Sequence, residues 1–77
     1  MNDQEKTKYI NQLSRYLSNP SAAKERYEAS DFDGSFEEYT QQLQDLADQL
    51  AEEDFQDKDA LCKQVKALNL PNEQFNC

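Results

Sequence analysis

Seventy-seven residues make room for one domain at most, and with eight basic and sixteen acidic side chains the chain carries a net charge of -8. Phosphate backbones and anionic lipid surfaces repel such a surface, so direct nucleic-acid or membrane binding is not expected. Histidine is absent and glycine occurs once, which removes His-based acid–base chemistry, mixed Cys/His zinc sites and Gly-rich phosphate loops.

One Val, one Ile and two Thr stand against abundant Ala, Leu, Gln, Glu and Lys. These residues favour helices and leave β-structure little material. The expected fold is all-α, a small bundle of three to four helices over residues 1–77, whose long central helix could also serve in a dimer. The first helix is predicted from Asp3 to Ser18, capped by Asn2 or Asp3, with Tyr9, Ile10, Leu13, Tyr16 and Leu17 on one apolar stripe. Asn19-Pro20 then pairs a good N-cap with a residue suited to the first helical position, so a short second helix runs from Pro20 to Ala29.

A loop over 30–34 holds the lone glycine and leads into Ser35-Phe36-Glu37-Glu38, a capping box. The helix it opens carries Phe36, Tyr39, Leu43, Leu46 and Leu50 in steps of three and four, a seam about two heptads long. Asp57 is the expected cap of a fourth helix bearing Leu61, Val65 and Leu68, which Pro71 ends. The tail over 72–77 frays unless Phe75 docks back. The start lacks the apolar core of a signal peptide. A bridge between Cys62 and Cys77 is sterically allowed, but free thiols in a reducing cytoplasm are the default expectation.

Charge is not spread evenly. Residues 1–27 carry a net +2, residues 60–77 a net +1, and residues 28–59 hold twelve acids against Lys58 alone. On the central helix Glu37, Glu38, Asp45, Asp48, Glu52 and Glu53 have no Lys or Arg at the neighbouring (i, i+4) positions. Like charges so placed cost a few tenths of a kcal/mol per pair, so either the basic first helix packs beside them or a cationic partner does. A solvated face is the bland alternative.

The segment Asp31-Phe32-Asp33-Gly34-Ser35-Phe36 resembles the middle of an EF-hand calcium loop, with alternating acids before a glycine and an apolar residue two later. Ala29 and Thr40 stand where the first ligand and the bidentate Glu belong. A capping loop therefore accounts for it better than a metal site, and no metal or cofactor is expected. Phe32 falls outside every helical stripe, as an interface anchor or as a plug over the bundle end.

The functional expectation is a non-enzymatic regulator or inhibitor that docks Asp31, Phe32, Asp33, Glu37, Glu38, Asp45, Asp48, Glu52 and Glu53 on a basic protein partner. A nucleic-acid-binding protein, whose phosphate site regularly spaced carboxylates can occupy, is the candidate partner, and phage- or mobile-element-encoded inhibitors have this size and charge. The alternative is a structural homodimer through the long-helix seam. A weakly calcium-responsive helix pair is the third reading.

Overall fold

The computed structural model describes residues 2–52 and 58–77. Among them it contains four α-helices, α1 (Asp3–Ser18), α2 (Pro20–Ala29), α3 (Phe36–Ala51) and α4 (Lys58–Ala67), followed by a 3-10 turn at Asn72–Phe75. No strand occurs among the described residues. The expected all-α bundle is therefore the fold, and the predicted bounds of α1 and α2 match the observed ones. The predicted cap Asp57 lies outside the described residues.

Side chains set the starts of α1, α2 and α3. The Asn2 carboxamide oxygen accepts the Glu5 N–H at 2.8 Å, and the Asn19 oxygen accepts the Ala22 N–H at 3.4 Å with Pro20 in the first turn. The Ser35 hydroxyl accepts the Glu38 N–H at 3.1 Å. Each satisfies one of the donors that a helix start leaves open. At the far end of α4, Asn69 adopts a left-handed conformation (φ 55°). The Leu70 N–H then donates to the Val65 carbonyl at 3.0 Å, and the Asn69 N–H to Lys66 at 3.1 Å. That pair of bonds is the Schellman closure, with the apolar Leu70 and Val65 both buried beneath it.

Helix α3 is the spine and packs chiefly on α1. Tyr39, Leu43, Leu46 and Leu50 are buried with Tyr9 and Leu13 of α1, Ala23 of α2, and Leu61 and Val65 of α4. The apolar seam is thus consumed inside the chain. Tyr39 is fully buried, and its hydroxyl donates to the Leu68 carbonyl. Burial pushes that phenol up to about 12, with Tyr16 adding to the shift and Arg26 opposing it.

Two expectations about the C-terminus are corrected. Cys62 and Cys77 are joined in a disulfide, with Cα atoms 5.7 Å apart, and so are not free thiols. The tail is not frayed: Phe75 is fully buried, its ring 5.6 Å from that of Tyr9. Asn76 is the second left-handed asparagine (φ 56°), and the Cys77 N–H donates to the Asn72 carbonyl at 2.9 Å. This reversal turns the last residue back toward α4. The spacing of the cysteines permitted the bridge, but only the docked tail brings them within reach. No helix among the described residues is long and apolar enough to cross a membrane.

Candidate partner-binding surface

At 100° per residue, the core-facing positions of α3 leave Glu37, Gln41, Gln44, Asp45, Asp48 and Glu52 on the opposite side. All are exposed except Asp45, which is half-buried. This face points away from α1, so the basic first helix does not neutralise it. The chain uses uncharged donors instead. The Gln41 amide donates to Asp45 at 2.9 Å and the Gln44 amide to Asp48 at 3.0 Å, both one turn along the helix. Such (i, i+4) pairs recover a few tenths of a kcal/mol each while leaving the negative charge in place.

The loop over 30–34 is held by its own bonds. The Ser30 hydroxyl donates to the Tyr27 carbonyl at 2.6 Å and accepts the Phe32 N–H at 3.3 Å. The Tyr27 hydroxyl in turn donates to the Gly34 carbonyl at 2.7 Å. Phe32 is half-buried, its ring 5.5 Å from Tyr39 and 6.3 Å from Tyr27. Tyr27 also meets Phe36 and Tyr39, each at 5.5 Å. Four rings thus close the end of the bundle where α2, the loop and α3 meet, each pair adding about 0.5–1.5 kcal/mol beyond its buried area. Phe32 is at once plug and wall, since one side of it lines an open groove.

That groove, about 750 Å³, has Asp31, Phe32, Asp33 and Glu38 on one flank and Lys66 and Asn69 at the end of α4 on the other. The structure therefore divides the nine expected residues. Asp31, Phe32, Asp33 and Glu38 gather around the groove, whereas Glu37, Asp45, Asp48 and Glu52 line the outer face of α3. Glu53 lies outside the described residues. Lys66 and Gln42 are groove residues that the sequence did not single out. No signal along the chain links Lys66 to a loop more than thirty positions away. Among the described residues, no group of three Asp, Glu or Cys side chains is placed to hold a metal ion.

Comparison with protein-family models, with curated proteins and with solved structures finds no match to this chain. The surface must be read from its own chemistry.

Gly34 shows how tightly the groove flank is assembled. Its φ is not positive, so backbone conformation does not demand glycine; space does. A Cβ there would lie 2.5 Å from the Glu38 carboxylate oxygen and 3.0 Å from the Phe32 ring. The carboxylate ends a flexible side chain and can swing away, while the ring must shift by tenths of an ångström. Gly34→Ala also loses less chain entropy on folding, a gain of roughly 0.4–1 kcal/mol where no strain opposes it. We expect the melting temperature of Gly34→Ala to stay within a few degrees of the parent, with the NMR signals of the Phe32 ring displaced. A fall of more than about 8 °C, over 1 kcal/mol for a domain of this size, would mean that the ring cluster cannot yield.

Proposed function

We propose that this chain is a non-catalytic binding protein that docks its acidic surface, the outer face of α3 with the flank of the adjoining groove, on a basic protein partner. A protein whose own ligand is a nucleic acid is the favoured class, because its phosphate site would accept carboxylates spaced along a helix. One observation supports this reading above the rest. The carboxylates of Asp45 and Asp48 are held by glutamine amides rather than by cations, so the face is ordered without being neutralised. A face needed only for solubility gains from interspersed charges of both signs.

The Cys62–Cys77 bridge suits an oxidising compartment, where disulfides mainly persist, better than a reducing cytoplasm.

The test is affinity capture from the native host with salt-graded elution, run beside a variant carrying Glu37→Lys, Asp45→Lys, Asp48→Lys and Glu52→Lys. Partner recovery is expected to fall at least tenfold for the variant, and heparin, as a soluble polyanion, is expected to displace the partner from the parent. Capture that survives the charge reversals and high salt alike would leave the acidic face a solvated one.

A further inference from the structure

The C-terminal segment is fastened to the rest of the molecule in a way that makes its docking conditional. Its attachments to α1 are few: the Phe75 ring on Tyr9 at 5.6 Å, the Asn76 amide donating to the Tyr9 hydroxyl at 2.9 Å, and the Tyr16 hydroxyl donating to the Gln74 side chain at 3.4 Å. Against these stands the entropy of ordering the residues beyond Pro71. The Cys62–Cys77 bridge, closing a span of 15 residues, tips the balance. Helix α1 also packs on α3 directly, and that contact, with Leu13, Tyr39, Leu43 and Leu46 in the core, is the larger one. Cys77 is exposed and Cys62 half-buried, so the bridge can be reached from solvent.

We infer that the Cys62–Cys77 disulfide is a redox-sensitive latch: it holds the C-terminal plug in place when oxidised, and its reduction frees the plug while the α1–α3 body stays folded. The reductant is a dithiol. One of its thiolates attacks the exposed Cys77 sulfur, forming a mixed disulfide and expelling the Cys62 thiolate, which takes up a proton. The second thiol of the dithiol, as its thiolate, then attacks its partner sulfur and releases the Cys77 thiolate, which is protonated in turn. Two electrons and two protons pass to the protein, and the dithiol leaves as a disulfide. Release of the plug uncovers Tyr9. It also loosens Lys66 and Asn69, the groove flank that lies inside the bridged span. The latch stands whether or not the acidic surface binds a partner.

Hydrogen exchange read by mass spectrometry on the oxidised protein, and on the same protein under dithiothreitol, tests it. The informative amides are those of Gln74, Asn76 and Cys77, which donate within the docked tail. Reduction is expected to lower their protection by roughly a hundredfold, the loop-entropy expectation for a span of this length, while the α3 amides keep theirs. The double variant Cys62→Ser/Cys77→Ser is expected to show the reduced pattern and to ignore dithiothreitol. Unchanged tail protection on reduction overturns the latch. So does equal loss of protection in α3, in reduced protein or double variant, because the bridge would then staple the whole domain. Two titratable thiols in the air-oxidised protein overturn it as well.

Discussion

Leu43→Ala is expected to abolish the cooperative thermal transition of this protein, or to lower its midpoint by at least about 10 °C. Leu43 is fully buried at the centre of α3, facing α1. Truncating such a leucine costs about 2–5 kcal/mol, the lost transfer energy plus the cavity left behind. A domain of 77 residues holds only a few kcal/mol in total, because so short a chain hides a modest share of its surface. For domains of this size each kcal/mol moves the midpoint by roughly 4–8 °C. Circular dichroism at 222 nm followed with temperature reads the result directly. A variant that melts like the parent would show that α3 does not pack its seam into the core.

The second large effect is alkaline. The folded protein accommodates Tyr39 as the neutral phenol, with its pKa pushed from 10.0 up to about 12 chiefly by burial. The unfolded chain ionises first as pH rises, so the native state then binds more protons than the unfolded one and stability falls. The contribution is complete below pH 10, declines between pH 10 and about 12, and is gone above that. Its size is about 2–3 kcal/mol, at 1.36 kcal/mol per pKa unit. Tyr39→Phe removes this dependence. At neutral pH it has its own cost of roughly 1–3 kcal/mol, because the Leu68 carbonyl loses its donor. Urea midpoints at pH 8, 10 and 11 for parent and variant are expected to converge as pH rises. Parallel curves would show that Tyr39 does not carry the alkaline sensitivity.

The helical framework was legible because its signals are local. Asn2, Asn19 with Pro20, and Ser35 each announce a helix within a few residues, and each makes the capping bond its type implies. The seam from Tyr39 to Leu50 declares its buried face by spacing alone. Half of the capping box went differently: the Glu38 carboxylate lies beside Gly34, where it shapes the groove. What stayed hidden is long-range. The bridge and the docked Phe75 depend on two left-handed asparagines, Asn69 and Asn76, and asparagine adopts that conformation too seldom for composition to foretell it. The groove joins residues 31–38 to residues 66–69. The charge map did isolate the acidic face of α3, but not the glutamines that order it.

Tyr9 has a further consequence, in the time domain. Its hydroxyl donates to Glu5 one turn away and accepts from Asn76, 67 positions on. The first contact forms as quickly as a helix does, within about a microsecond. The second closes a loop spanning nearly the whole chain, whose entropic cost must be met before the contact returns anything. Assembly is thereby ordered. Helices α1 to α3 can associate while the C-terminal residues are still searching, and the cysteines meet only once Phe75 has found Tyr9. The covalent bond is then the last to form, closing on a passing encounter of the tail with α1 and making it lasting.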